Sequence, residues 1–394
     1  MNEALIVEGV RTPIGKMGGS LSGFRPEELA AIVLEGLVKK VGIDPAFIED
    51  VVIGHACSNN AAVNIARWAV LKAGFPVEVT GQTVERQCGS SLQSVNSVAA
   101  SIVAGFGEAY IAGGCESWST QPYLMERQKK PFSLTPPDWI TREVGPDHET
   151  NLPMGAIAEI LARDFDISRE QQDLYAFESH QKALAAIDAG FFDDEIIPVT
   201  VRQAKGNSTI FERDERPRPT SLTTLASLKP AFQKDGSVTA GNSSGMNDGA
   251  VALLMMESRK CAQLNLHPLG RFVACALSGS EPKYMGIAPV KAIGKVLEKT
   301  GLSLRDMDVV ECNEAFASQT LAVMKVLKDE GHLVESEKWN PNGGAIAFGH
   351  PNGMSGGRLT LAVLRQLARN KGRYGMATLC IGGGQGIATI FERI

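Results

Sequence analysis

Residues 26–53 read PEELAAIVLEGLVKKVGIDPAFIEDVVI, and residues 289–311 read PVKAIGKVLEKTGLSLRDMDVVE. Each stretch has a proline, an amphipathic helical pattern, a Gly-Ile or Gly-Leu turn, a short acidic segment and a strand-like run. Asp50–Val52 aligns with Asp308–Val310, more than half the chain away, which is far too long for a solenoid repeat. Two generic α/β domains with chance similarity are the alternative, but the matching order of elements favours a duplication.

The rest of each half continues the alternation of strands and helices. Apolar residues recur at helical spacing after Cys88 and again after Gly356-Gly357, and a strand with a glycine pair follows each helix. This alternation predicts an α/β fold with mixed or parallel sheets covered by helices on both faces. A long insertion separates the halves, with 120–150 predicted as an extended loop and 155–190 as helices.

Composition excludes several classes of protein. The 394 residues carry a net charge of -5 and 44% hydrophobic residues, which favours a large globular core and argues against a nucleic-acid-binding surface. The seven cysteines form no CxxC pair, so the sequence predicts neither a zinc ribbon nor a disulfide framework. We expect a reducing, cytoplasmic location, no bound metal, and no secretory signal or membrane span.

Three glycine-rich segments carry candidate catalytic side chains. Cys88 precedes a predicted helix, whose free amides can stabilise a thiolate and lower the pKa of the thiol. His350 lies in the turn Asn342–Pro351, and a histidine there has the pKa range of a general base. Cys380 ends a strand before Gly382-Gly383-Gly384, where a thiol can move a proton. Each residue also has a structural alternative. Cys88 can be a small buried apolar residue, His350 a loop histidine bonded to the backbone, and Cys380 a packing residue at a strand end.

Two further polar residues follow strands. Asn313, in Asn313-Glu314-Ala315-Phe316, can hold a water or orient an imidazole, or can simply cap a helix. His55 also follows a predicted strand, and we interpret it as structural.

Together these segments resemble the thiolase family, and the resemblance covers nearly the whole chain. The matching motifs are Val10–Lys16, Arg86–Ser91, Ala112–Ser117 (similar to the family's glycine-rich turn before the insertion), Thr239–Ala250, Asn313–Ala317, Gly349–Pro351 and Cys380–Gly384. The resemblance implies a duplicated five-layer fold of two five-stranded mixed sheets with helices between and outside them. It also implies an N-terminal half at 1–118 and 241–268, an insertion at 119–240 for substrate and assembly contacts, and a C-terminal half at 269–394.

The resemblance further implies a reaction, the reversible CoA-dependent condensation or thiolytic cleavage of 3-ketoacyl-CoA. Cys88 would carry the acyl group as a thioester, His350 would help to activate it, and Cys380 would remove the α-proton of acetyl-CoA. One oxyanion site would use His350 and a water held by Asn313, and the other the amides of Cys88 and Gly382. Decarboxylating ketoacyl synthases resemble thiolases but place a second histidine at the position of Asn313 and lack a cysteine at that of Cys380.

Coenzyme A is expected as substrate and product, with no permanently bound cofactor. By resemblance, Ser244 contacts the pantetheine arm and Met154 lines its tunnel, while Arg218 reaches the nucleotide end or is a solvated loop charge. Partners would be acyl-CoA, acetyl-CoA and further copies of the chain in a homodimer or homotetramer.

The chain departs from the family pattern at three positions. Glu85 stands where Asn is common, Ser91 where Gly is usual, and Pro153 where biosynthetic thiolases often have His. Glu85 would raise the pKa of Cys88 if its carboxylate faced the thiol, and otherwise pairs with a base or points away. Two other functions stay open at this point, a cysteine-dependent acyl hydrolase and a catalytically silent thiolase-like CoA-binding protein.

Overall fold

A computed structural model of the chain describes residues 2–58, 61–128, 130, 132, 134–202, 206–332 and 335–394. The strands are β1 (Ala4–Arg11), β2 (Gly15–Lys16), β3 (Asp50–Gly54), β4 (Thr80–Val84), β5 (Ala109–Ser117), β6 (Val199–Arg202), β7 (Ser208–Phe211), β8 (Asn247–Glu257), β9 (Gly270–Gly279), β10 (Met307–Cys312), β11 (Tyr374–Ile381) and β12 (Gln385–Glu392). The α-helices are α1 (Pro26–Val41), α2 (Ile65–Lys72), α3 (Ser90–Ala104), α4 (Met154–Asp164), α5 (Arg169–Asp188), α6 (Leu222–Ala226), α7 (Ser258–Gln263), α8 (Ala288–Thr300), α9 (Ala317–Asp329), α10 (Ala345–Phe348) and α11 (Asn352–Asn370). None of the helices within these ranges is long and apolar enough to cross a membrane.

The large sheet is mixed and runs in the order β10-β11-β12-β9-β1-β8-β5-β3-β4. β3 pairs in parallel with β4 and β5, and β10 pairs in parallel with β11, while the remaining pairings along this path are antiparallel. The two halves join where β1 meets β9 over only two residue pairs. A single parallel bridge from Val310 to Trp339 stands at the outer edge of the second half. The predicted mixed α/β fold is therefore confirmed, with the two sheets continuous through a short seam.

Three apolar clusters show the layering of helices on this sheet. The central cluster combines side chains of α3 and α11 with both halves of the sheet, including Leu92, Val95, Leu361 and Leu379. The second cluster packs α1 and α2 on the outer face of the first half, and the third packs α8 and α9 on the outer face of the second half. The two central helices, α3 and α11, are those that begin at the predicted catalytic turns.

The duplicated stretches fold alike because the same local signals act in both. α1 begins at Pro26 and ends before Gly42, whose φ is 74°, and α8 carries Pro289 near its start and ends before Gly301, whose φ is 68°. Proline suits the first turn of a helix, and glycine adopts the left-handed conformation that ends one. A short 3-10 turn and then a strand follow each helix, so the order of elements predicted from sequence is confirmed.

The insertion contains the predicted helical part as α4 and α5. In contrast, the motif Ala112–Ser117 is not a turn, because it lies inside the buried central strand β5. Its glycines serve packing: a Cβ built on Gly114 would lie 2.0 Å from the carbonyl oxygen of Gly353 at the start of α11. Gly114 therefore marks a close approach of helix and strand, and a Cβ on Gly113 would lie 2.4 Å from the Val251 carbonyl oxygen of β8. Sequence reasoning took this pair for a change of chain direction.

Candidate active site

Cys88 lies in a strained turn directly before α3. The turn Gln87–Gly89 is a single 3-10 turn, and Gln87 has a φ of 45°, in the left-handed region that non-glycine residues seldom adopt. Strain of this kind is typical of functional sites when the surrounding structure holds it in place. Glu85 helps to hold it, since its Oε1 accepts a hydrogen bond from the Gln87 backbone at 2.7 Å. The carboxylate of Glu85 thus supports the turn.

The thiol of Cys88 is half-buried, and burial raises its pKa. Hydrogen bonds from the Asn352 side chain and the Gly382 backbone lower the pKa, but by less, and the Glu116 carboxylate raises it. The expectation that the helix start would lower the pKa of Cys88 was therefore wrong for the net effect, because loss of hydration outweighs the local donors. The neutral thiol is the stable form before substrate arrives.

His350 is buried and held in one orientation by α11. Its Nδ1 lies 2.6 Å from the Ser355 Oγ, and that hydroxyl donates to the Pro351 carbonyl at 3.1 Å. Because the hydroxyl proton is used on a carbonyl, which can only accept, the oxygen accepts a proton from Nδ1. The Nε2 atom therefore carries the lone pair and faces the site.

Burial lowers the pKa of His350 to about 3, with Arg358 as a second cause. A neutral imidazole with an unprotonated Nε2 accepts a proton but does not form an ion pair with Cys88 in advance. Proton transfer is thus expected to accompany attack by the sulfur.

Asn313 directly follows β10 and contacts the imidazole. Its Nδ2 lies 3.5 Å from His350 Nε2, and its buried Oδ1 has no hydrogen-bond partner within the described ranges. It is not a helix cap, since the residue that precedes α9 is Phe316. An unpaired buried carbonyl oxygen beside an imidazole can hold a water at this point.

Cys380 lies near the end of β11 and is fully buried. Burial raises its pKa far above the ordinary value, and the neighbouring Cys88 raises it further. It belongs to an apolar cluster that also contains Met154 at the start of α4. The two thiols predicted to share one substrate therefore do lie near each other, and neither is in a disulfide.

Gly382, in the glycine-rich segment Cys380–Gly384, lies next to the sulfur of Cys88. Its backbone N–H lies close enough to the Cys88 sulfur to lower the pKa of that thiol. It also lines a polar cavity of about 360 Å³ together with Arg86, Gln87, Glu143 and Gln385. An amide directed at this sulfur is placed to stabilise an oxyanion on a carbon bound to it.

The three residues expected to contact CoA lie in different settings. Ser244 is half-buried, and its backbone N–H donates to the Ala315 carbonyl at 3.0 Å, close to the Asn313 turn. Met154 is half-buried in the apolar cluster around Cys380. Arg218 is exposed and sits beside His180. The structure places the first two near the catalytic turns and the third on the surface.

Two charged residues that the sequence did not reveal, the buried Glu314 and the half-buried Arg216, hold these turns together. Glu314 accepts hydrogen bonds from Tyr175 (3.0 Å), Ser179 (2.7 Å) and the Ile346 backbone (3.2 Å). Arg216 donates to the carbonyls of Ser243 (3.0 Å) and Ile346 (3.3 Å). Both residues stabilise the turn that leads to His350. Of the two, only Glu314 could have been identified from the sequence, because it directly follows Asn313.

Ser91 explains one departure from the family pattern. Its Oγ accepts a hydrogen bond from the Gly357 backbone at 2.9 Å, which ties α3 to α11. The helices cross closely, because a Cβ on Gly356 would lie 2.5 Å from the Leu92 nitrogen. The Ser91 hydroxyl thus adds a hydrogen bond where α3 and α11 cross. This crossing positions the first turns of both helices, which lie next to Cys88 and His350. His55, predicted to be structural, is buried with its Nε2 3.1 Å from Glu116 Oε1.

The chain matches two family models, the thiolase N-terminal domain over residues 4–259 and the thiolase C-terminal domain over residues 266–393. The chain belongs to the thiolase family. Among curated relatives, a beta-ketoadipyl-CoA thiolase of Escherichia coli is 45% identical, with 100% of each chain covered.

Solved structures agree with this assignment. The acetyl-CoA acetyltransferase of Bacillus anthracis is 42% identical with a TM-score of 0.94, covering 100% of this chain and 99% of that one. Human mitochondrial 3-ketoacyl-CoA thiolase in complex with CoA is 39% identical with a TM-score of 0.92, covering 100% and 98%. The protein is thus a CoA-dependent acyltransferase of the thiolase type, which sets aside the hydrolase alternative.

Proposed function

We propose that this thiolase carries the acyl group on Cys88, uses His350 as the proton acceptor for that thiol, and uses Cys380 for the α-proton. The observation that supports this most is the approach of the Gly382 backbone N–H to Cys88, where it lowers the pKa of the thiol, because it places the segment after Cys380 next to the nucleophile. The substrates are acyl-CoA and acetyl-CoA in condensation, and a 3-ketoacyl-CoA and CoA in cleavage.

In the acylation step, the Cys88 thiol gives its proton to His350 Nε2 while the sulfur attacks the thioester carbon of acyl-CoA. The backbone N–H groups of Cys88 and Gly382 stabilise the resulting oxyanion. The bond from carbon to the CoA sulfur then breaks, and the departing CoA thiolate takes the proton of Cys380. This leaves acyl-Cys88, a protonated His350 and a Cys380 thiolate.

In the condensation step, the Cys380 thiolate removes the α-proton of acetyl-CoA. Protonated His350 and a water on Asn313 stabilise the enolate oxygen, which matches the unpaired Oδ1 of Asn313. The α-carbon attacks the acyl carbon, and the Cys88 thiolate that leaves recovers its proton from His350. All three groups return to the neutral forms that burial favours, and the reverse sequence is thiolysis.

Both half-reactions can be measured separately. Radiolabelled acetyl-CoA should acylate the wild-type chain at Cys88, identified by peptide mapping, and Cys88→Ala should abolish the label. Cys380→Ser should still be labelled but should lose condensation and thiolysis. Cys275→Ser, on β9 and outside the site, is the matched control and should keep both activities. Absence of any acyl label on the wild-type protein would favour the silent CoA-binding alternative.

The acyl chain length is tested in the same assay. Relatives of similar identity are named beta-ketoadipyl-CoA thiolase (45%) and acetyl-CoA acetyltransferase (43%). Thiolysis of acetoacetyl-CoA, 3-oxoadipyl-CoA and longer 3-ketoacyl-CoAs should therefore be compared by kcat/KM. Pro153, which precedes α4 and Met154, is the departure that argues against a purely acetoacetyl-CoA-specific site.

CoA binding by Ser244, Met154 and Arg218 is part of the same proposal. The apolar surface around Met154 suits the pantetheine arm, and the Ser244 turn lies beside the Asn313 turn. Arg218 is exposed and cationic, as contact with a phosphate requires.

A homodimer or homotetramer is the proposed assembly. Large apolar side chains of the insertion are exposed, among them Tyr123 (90%), Phe132 (97%) and Trp139 (65%). Exposed apolar patches of this kind are typical of protein contacts. Light scattering should give a mass of two or four times the 42.1 kDa chain, and a monomer would contradict the proposal.

A cytoplasmic location completes the proposal. The seven cysteines are all free, as a reducing compartment would keep them. Cell fractionation with a compartment marker tests it.

A further inference from the structure

One side-chain amide lies between the two reacting groups. The Asn352 Nδ2 is 3.1 Å from Cys88 Sγ and 3.3 Å from His350 Nε2. An amide nitrogen has two hydrogens, so it can donate to both atoms at once. No residue role described above accounts for this contact, and Asn352 is the first residue of α11.

The orientation of this amide is fixed by Trp118. The indole Nε1 of Trp118 donates to Asn352 Oδ1 at 2.8 Å. An indole N–H can only donate, so the atom it contacts must be the amide oxygen. The Nδ2 group is therefore the one that faces Cys88 and His350, and rotating the amide would cost the bond to Trp118.

Trp118 is itself contacted by the insertion. The Arg142 guanidinium carbon lies 6.0 Å from the centre of its ring, and Arg142 Nη2 donates to the Ala56 carbonyl at 2.9 Å. A chain of contacts thus leads from Arg142 through Trp118 and Asn352 to the Cys88 sulfur.

We propose that Asn352 is a further catalytic residue, which donates to the Cys88 sulfur as it becomes negative, and that Trp118 is the positioning residue that aims it. The inference rests on the proposed role of Cys88 as acyl carrier. During acylation the sulfur loses its proton to His350, and the N–H of Asn352 stabilises the charge that remains on the sulfur. The same donor acts again when the Cys88 thiolate leaves in the condensation step.

The donation to His350 Nε2 has a separate consequence. A lone pair that accepts N–H groups from Asn352 and Asn313 is poorly disposed to hold a proton in the free enzyme, so both amides must release Nε2 when it takes the Cys88 proton during acylation. The bond from Asn352 therefore favours a negative sulfur without favouring a permanently charged imidazole.

The test measures the reactivity of Cys88 and its acylation separately. The rate of Cys88 alkylation by iodoacetamide is followed across pH, and acyl-enzyme formation from labelled acetyl-CoA is followed in rapid quench. Asn352→Leu, of similar size without donors, should raise the pH midpoint of alkylation and slow acylation about 10- to 100-fold, the range for a hydrogen bond to a charged group. Asn352→Asp should shift the midpoint in the same direction at least as far.

Trp118→Phe keeps an aromatic ring and removes only the N–H. It should shift the midpoint in the same direction but less, and it should add nothing in the Asn352→Leu background, because Trp118 acts through Asn352. Trp68→Phe on α2 is the matched control and should leave the midpoint unchanged. Thermal unfolding of each variant shows whether the fold is intact.

Each result bears on a different claim. Wild-type alkylation and acylation in a folded Asn352→Leu variant would overturn the role of Asn352. Equal effects of Trp118→Phe with and without Asn352→Leu would overturn the positioning role of Trp118. If the wild-type chain itself takes no label at Cys88, the proposed acyl carrier fails, whereas the alkylation midpoints still decide whether Asn352 stabilises the thiolate.

Discussion

Replacing Ser355 by Ala tests the tautomer of His350 on which proton transfer depends. The hydroxyl accepts the Nδ1 proton at 2.6 Å and leaves Nε2 unprotonated on the side of Cys88. The substitution should leave α11 intact, since the Pro351 carbonyl still accepts the Ser355 backbone N–H at 3.0 Å. The Pro351 carbonyl loses the hydroxyl but keeps this backbone donor, whereas the imidazole Nδ1 loses its partner.

The size of the effect follows from the burial of His350, which is only 6% exposed. A buried donor without a partner costs about 1–3 kcal/mol. The ring can relieve this cost by moving its proton to Nε2, which is the wrong tautomer for accepting a proton from Cys88. We therefore expect acylation to slow by about 5- to 150-fold, since each 1.36 kcal/mol is about tenfold in rate.

The assay is single-turnover acylation at about pH 6.5 and about pH 8.5. Because burial lowers the pKa of His350 to about 3, the ring is neutral at both values, and the loss should be the same at each. Thr360→Val is the control, since the Thr360 hydroxyl lies on the same helix and donates to the Gly356 carbonyl at 3.0 Å. An unchanged acylation rate in Ser355→Ala, or a loss confined to one pH, would refute the tautomer argument.

Three other predictions concern CoA, oxidation and packing. Arg218→Ala should raise KM for CoA with little change in kcat if the guanidinium contributes uniform binding, whereas an unchanged KM would leave it a solvated loop charge. Mild oxidant should inactivate the enzyme reversibly through a Cys88–Cys380 disulfide, restored by a dithiol; peptide mapping that finds only oxidised Cys88 would show that the sulfurs cannot meet. Gly356→Ala should lower the free energy of unfolding by about 1–3 kcal/mol, because the added Cβ would lie 2.5 Å from Leu92. Gly294→Ala on α8, where a Cβ meets nothing within 4 Å, should instead be neutral or stabilising by about 1 kcal/mol in chemical denaturation.

Sequence reasoning located the parts of the site that lie in recognisable turns. Cys88 and His350 precede helices, Asn313 follows a strand and Cys380 lies near the end of one, and such positions are visible as local patterns. The fold followed from the repeated order of helix, turn and strand, since capping residues act over a few positions.

What sequence reasoning missed depends on pairs of residues that only the folded chain brings together. Trp118 and Asn352 are 234 positions apart, and neither has a local pattern that predicts the contact. The predicted direction of the pKa shift of Cys88 was wrong, because burial depends on the whole fold whereas the helix start is a local feature. Gly113-Gly114 resembled a turn because sequence shows glycine but not the strand and helix that pack against the pair.

The register of the duplicated strands reveals which residues correspond between the halves. In the first half, Gly54 pairs with Gly114, and His55 and Glu116 follow them by one and two residues. In the second half, Cys312 pairs with Thr378, and Asn313 and Cys380 follow in the same way. His55 is thus the counterpart of Asn313, and Glu116 the counterpart of Cys380.

These counterparts have taken opposite roles. His55 and Glu116 form a buried pair at 3.1 Å, and Glu116 also accepts the backbone N–H groups of Ala56 and Gly353. The first copy has become an internal brace that holds the start of α11, while the second keeps an amide and a thiol for substrate. The two halves are therefore related by pseudo-symmetry, but only the strand ends of the second half provide groups for the substrate. Full acylation should accordingly saturate at one acyl group per chain.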